Sequence, residues 1–95
     1  IILASEKWHE GVIGIVASRL VEKYYRPTIV FGIDPETGTA RGSARSIVGF
    51  DMYQALDACK DLLSHYGGHP MAAGMTLAVE DLPILHKRLH ELTEE

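Results

Sequence analysis

Residues 39–46 read Thr-Ala-Arg-Gly-Ser-Ala-Arg-Ser, which sets two arginines four positions apart with a serine midway between them. Successive side chains of an extended strand point to opposite faces. Arg41, Ser43 and Arg45 then share one face, and Ala40, Gly42 and Ala44 share the other. Two guanidiniums flanking a hydroxyl suit an oxyanion such as phosphate, because a guanidinium donates in a planar fork that matches phosphate oxygens in pairs. The small opposite face lets a helix pack tightly behind the strand. The same spacing is also compatible with a solvated strand face carrying ordinary surface arginines.

A second candidate is Gly67-Gly68-His69-Pro70. Two glycines allow a ligand or a chain to approach the backbone closely, and a histidine there can donate to a phosphate oxygen. The competing reading is a helix C-cap with an incidental loop histidine, since glycine is common at helix ends. His9, in Trp8-His9-Glu10-Gly11, precedes a helical pattern and could meet an anion near its start. His86 and His90 stand one turn apart on another helical pattern, but no third ligand is evident, so they read, with His65, as surface histidines on helices. There is no dinucleotide or Walker fingerprint, and Ser43 has no evident base partner. Nothing here resembles a self-sufficient catalytic set, and no metal site is expected in these residues.

The elements that must position these groups form an α/β pattern. Ile1–Ala4 reads as a strand and 5–10 as a polar loop. Apolar residues then recur at spacings of three and four from Gly11 to Tyr25 (Ile13, Val16, Ala17, Leu20, Tyr24), a helix stopped by Pro27. Val12 and Ile15 add apolar groups elsewhere on its first turns, so heavy burial is expected there. Gly11 and Gly14 cost an isolated helix about 1 kcal/mol each relative to Ala but permit close packing. Thr28–Ile33 is a β-branched strand, 34–38 a turn, and Thr39–Ile47 the returning strand of a hairpin. Asp51 caps a second helix with the stripe Met52, Ala55, Leu56, Cys59, Leu62 and Leu63, ended by Gly67. Residues 71–79 alternate as a strand, and Asp81 caps a last helix with Leu82, Leu85, Leu89 and Leu92 on one face and Pro83 in its first turn. The expected order is β-α-β-β-α-β-α: a single domain over 1–95, with a mixed β-sheet flanked by helices.

The 95 residues suffice for one domain, and a hydrophobic content of 46% is enough to build a core. Cys59 is the single cysteine and has no partner for a disulfide. The apolar start without an initiator Met, and the lack of any membrane-span-length apolar stretch, lead us to expect a soluble cytoplasmic domain taken from a longer chain. A net charge of −4 argues against a protein that coats nucleic acid generally. Yet no acidic residue falls between Glu36 and Asp51, where Arg41 and Arg45 lie. One locally cationic stretch fits a small anion site better than a long electrostatic groove.

Three stretches, in order, resemble the DHH-associated domain of RecJ-type exonucleases, within the DHH phosphoesterase superfamily. They are 8–20 (Trp-His-Glu-Gly-Val-Ile-Gly-Ile-Val-Ala-Ser-Arg-Leu), Gly42-Ser43-Ala44-Arg45-Ser46 with Gly49-Phe50-Asp51 and Ala55-Leu56, and Gly67-Gly68-His69-Pro70-Met71-Ala72-Ala73-Gly74. The resemblance implies a division of labour. A preceding DHH catalytic domain of the same chain would hold Mn²⁺ or Mg²⁺, two metals activating water and stabilising the leaving oxygen. The present residues, with no cofactor of their own, would hold single-stranded DNA over that site for 5′-to-3′ digestion in DNA repair and recombination. The resemblance places Ser43 and Arg45 on phosphate near the 5′ end and His69, with Gly67 and Gly68, at the cleft; Arg41 rests on the shared strand face. Two alternatives stay open: the same domain of a phosphodiesterase for short oligonucleotides or cyclic dinucleotides, and a non-catalytic module like the related domain of alanyl-tRNA synthetases.

Overall fold

The computed structural model describes residues 1–93, so residues 94 and 95 of the expected domain lie outside the described residues. Eight elements follow one another: β1 (Ile2–Ser5), α1 (Glu10–Tyr24), β2 (Thr28–Asp34), β3 (Thr39–Arg45), α2 (Met52–Asp57), β4 (Leu63–Gly68), β5 (Ala72–Ala78) and α3 (Leu82–Thr93). Single 3₁₀ turns, Lys60–Leu62 and Val79–Asp81, lead into β4 and α3. The five strands form one sheet in the order β1-β2-β3-β5-β4. Only β1 and β2 pair in parallel, joined through α1; the other pairs are antiparallel. The expected α/β class and mixed sheet are therefore present.

Alternation along β2 and β3 sorts the sheet into two faces. Ile29, Phe31, Ala40, Ala44, Ala73, Met75 and Leu77 pack against Met52, Ala55, Leu56 and Cys59 and against Leu85 and Leu89 of α3. Gly42 belongs to this face, since a methyl placed on it would run into Met75 Sδ and the Phe31 ring. Val30 points the other way, into a smaller cluster with Ile13 and Ala17 of α1. Helix α1 packs on β2 and β3, so the sheet is sandwiched there between α1 on one side and α2 with α3 on the other. The helix ends where Tyr25 takes a left-handed conformation, φ 50°, its N–H donating to Val21 O at 2.8 Å; Pro27 prevents continuation. At the start of α2, Asp51 accepts from the Gln54 N–H at 3.0 Å, the cap anticipated from its position.

Five expectations need correction. The second helix does not run to Gly67: it stops at Asp57, and 63–68 is an additional edge strand, which makes the order β-α-β-β-α-β-β-α. The cause lies in a register irregularity between Leu63 and His65. It puts Leu63 and Tyr66, three residues apart, on the same core-facing side, both packed on the main cluster. An irregularity of this kind turns the period-two pattern of a strand into a helical spacing of three. His65 is consequently a strand residue, not a helical one. The returning hairpin strand ends at Arg45 rather than Ile47, because Ser46 turns inward, is 5% exposed and donates to Phe50 O at 2.7 Å. Finally, the start of α1 is not buried all round: Val12 and Ile15 are 41% and 58% exposed, since the sheet reaches only the Ile13 and Ala17 side of the helix. Leu92, likewise expected in the α3 stripe, is exposed where Leu85 and Leu89 are buried.

Candidate nucleic-acid interface

The face of β3 that carries Arg41, Ser43 and Arg45 is the α1 side of the sheet. Pairing fixes which residues share this face across the strands. Arg45 stands opposite Ala72, Ser43 opposite Gly74, and Arg41 opposite Thr76. On the next strand Gly67 stands opposite Gly74 and His65 opposite Thr76. Three rows result: Arg45–Ala72, Ser43–Gly74–Gly67 and Arg41–Thr76–His65. The backbone N–H of His69 donates to Ala72 O at 2.7 Å, which ties His69 to the end of the first row.

The middle row has almost no side chains. Gly67 and Gly74 are exposed; a methyl on Gly67 would meet nothing within 4 Å, and one on Gly74 only Gly42 O at 3.8 Å. The row is thus the floor of a shallow trough that runs from Ser43 to the free edge of β4. Gly68 has a different role. Its φ is +141°, and a methyl there would lie 2.4 Å from Ala72 O, so only glycine lets the chain turn from β4 into the His69–Met71 loop. That loop is pinned at two points: Ser46 N–H donates to Met71 O at 2.8 Å and Met52 N–H to Pro70 O at 2.9 Å.

At the inner end of the trough, Arg45 Nη1 donates to Ser43 Oγ at 2.9 Å and to Ala44 O at 2.8 Å. Because Ser43 Oγ accepts from the guanidinium, its own hydroxyl hydrogen is available to donate to a bound anion. Gly14 of α1 faces this pair: a methyl on Gly14 would lie 3.0 Å from Arg45 Nη2 and 3.4 Å from Ser43 Oγ. An open cleft of about 850 Å³ lies here, lined by Gly11, Gly14, Ser18 and Arg19 of α1 together with Ser43 and Arg45. Arg41 opens instead onto a cleft of about 590 Å³ that it shares with Trp8, His9 and Gly32.

The fold therefore brings Ser43, Arg45, Gly67 and the His69 backbone to one surface, with Arg41 on its far wall and Gly68 shaping the loop. His9 falls at the other cleft, away from Arg45. His86 and His90 lie on α3, beside an apolar cavity of about 200 Å³ lined by Ile2, Phe50, Met52 and Leu89. Among the described residues no group of three or more His, Cys, Asp or Glu side chains could hold a metal ion, and no helix is long and apolar enough to cross a membrane. Gly14, Gly74 and His65 escaped the sequence reading of the site. Gly14 was visible only as a helix glycine with a packing reason, and the other two depend on cross-strand register.

A mixed sheet backed by two helices, with a glycine-floored trough beside Ser43 and Arg45 on its other face, defines a small α/β domain. Residues 1–95 match the DHHA1 domain family along the whole chain, and the chain belongs to that family. It is 57% identical over 94 residues to the single-stranded-DNA-specific exonuclease RecJ of Bacillus subtilis, covering 99% of this chain and 12% of that protein. With RecJ of Escherichia coli it shares 41% identity over 93 residues, 94% of this chain and 16% of the relative. The crystal structure of Thermus thermophilus RecJ in complex with Mg²⁺ superimposes with a TM-score of 0.86 at 35% identity, covering 97% of this chain and 14% of that one. The chain thus spans roughly an eighth of the B. subtilis relative.

Proposed function

We propose that this chain is the substrate-side domain of a longer, RecJ-type exonuclease, holding single-stranded DNA by its phosphates over a two-metal site in a separate, preceding domain. The observation that carries the reading is the Arg45–Ser43 pair beneath Gly14, a charge-assisted donor set opening into a cleft rather than into a core. Arg45 supplies fixed positive charge and a fork of donors, Ser43 a hydroxyl proton, and the glycine floor lets a sugar–phosphate backbone lie close to the sheet. His69, held by its backbone bond to Ala72, would face the cleft shared with the metal-bearing domain. Solved RecJ structures hold Mg²⁺ or Mn²⁺, and in the longer protein such ions would activate water for phosphodiester hydrolysis. The names of the RecJ relatives favour single-stranded DNA over dinucleotides as substrate.

The test is single-turnover digestion of a 5′-phosphorylated strand by the full-length protein carrying Arg45→Ala, with Glu36→Ala in the hairpin turn as control. Loss of a charge-assisted hydrogen bond of about 1.5–3 kcal/mol should lower efficiency by about one to two powers of ten. Normal digestion by Arg45→Ala would overturn the reading.

A further inference from the structure

We propose that His65 is a positioning residue, holding the nucleic-acid strand where it leaves the domain across the edge strand β4. The proposal rests on the phosphate-site reading of Ser43 and Arg45 and extends it from a point to a path.

The path follows from register. Strands lie about 4.8 Å apart, so the row Ser43–Gly74–Gly67 measures about 10 Å across three strands. Arg41 and Arg45 stand four positions apart on β3, so the two walls are about 13 Å apart. One wall holds Arg45, Ala72 and, past the end of β4, His69; the other holds Arg41, Thr76 and His65. A phosphate at Ser43 sits at the inner end, where α1 covers β2 and β3. The rest of the backbone has the open floor over Gly74 and Gly67 before it, and β4 is the last strand of the sheet. A strand following that floor leaves the domain between His65 and His69. His65 is exposed, Thr76 partly so, and the Thr76 hydroxyl lies on the same wall. An imidazole there donates to a phosphate oxygen two nucleotides beyond the terminal one, a phosphate that a dinucleotide lacks.

The experiment measures binding by the full-length protein without divalent metal, so that no strand is cut. The probes are a 5′-phosphorylated dinucleotide and a 5′-phosphorylated DNA dodecamer. With His65→Ala, dodecamer affinity should fall by about 3- to 10-fold and dinucleotide affinity should hold. His65→Lys should retain dodecamer affinity and steepen the log–log salt dependence by about 0.7, the value for neutralising one more phosphate on a single strand. Arg45→Ala should weaken both probes. Parental dodecamer affinity in His65→Ala, an equal loss on both probes, or a loss that Lys fails to restore would each overturn the role of His65. If Arg45→Ala binds both probes normally, the phosphate site itself is wrong.

Discussion

Gly14 of α1 and Arg45 of β3 meet so closely that a single methyl on the glycine would stand 3.0 Å from Arg45 Nη2. The helix thus forgoes a better helix former at the point where it crosses the guanidinium. Gly14→Ala should raise helix stability by up to about 1 kcal/mol, because Nη2, the far end of the flexible arginine side chain, can move aside by a few tenths of an ångström. The displaced fork should cost digestion of single-stranded DNA by the full-length protein. Melting and single-turnover assays on one preparation decide it. A variant that melts as high as the parent and digests as fast would show that the contact has no functional weight.

Arg45→Lys should recover only part of the activity lost in Arg45→Ala, since an ammonium cannot reproduce the fork. Arg45 is partly buried and bonded to Ser43 and to Ala44 O, so the alanine variant should also lose about 1 kcal/mol of stability. A purely structural arginine would show the melting change alone, with digestion intact in both variants.

The described residues offer no metal-ligand cluster, so the chain by itself should not hydrolyse single-stranded DNA in Mn²⁺. It should still bind such DNA weakly and with a shallow salt dependence, because few phosphates are neutralised. Degradation of a labelled strand that persists through repeated purification would contradict the division of labour between two domains.

Gly68→Ala should destabilise the domain strongly, since the variant combines an unfavourable φ of +141° with a 2.4 Å collision on Ala72 O. Gly67→Ala, with nothing within 4 Å of the added methyl, should melt close to the parent. Equal melting of the two variants would show that the β4–β5 loop adopts another path.

A pH series tests the ion pair that joins α3 to the approach of β4. Arg88 Nη1 donates to Asp61 Oδ1 at 2.6 Å, and this bond holds the Asp61 carboxyl below its ordinary value of 3.8. A lowered folded-state value stabilises above the unfolded pKa, and the gain disappears as pH falls through the folded one. The parent should therefore melt slightly above Arg88→Gln at pH 6, and the gap should close well below pH 3.8. Because both side chains are exposed to solvent, the gap should also shrink in high salt. A gap that persists in strong acid would assign the role of Arg88 to packing.

Much of this molecule follows from local sequence. The period-two pattern of 39–45 determined that Arg41, Ser43 and Arg45 share a face and that Ala40 and Ala44 are buried behind it, because strand geometry leaves no other choice. The turn at 34–38, the Asp51 cap and the stop at Pro27 are likewise short-range chemistry. Only the tertiary structure decided that 63–68 is a strand, since the register irregularity beside Leu63 copies a helical spacing and only pairing with β5 breaks the tie. Pairing likewise lined up Ser43, Gly74 and Gly67, residues separated by 31 and 24 positions in the chain, into one floor. Contact between Gly14 and Arg45 depends on where α1 crosses the sheet, which is set by the burial of Ile13 and Ala17 against Val30. A residue pattern specifies which way a side chain points along its own element; which distant residues it then meets is settled by how the elements pack.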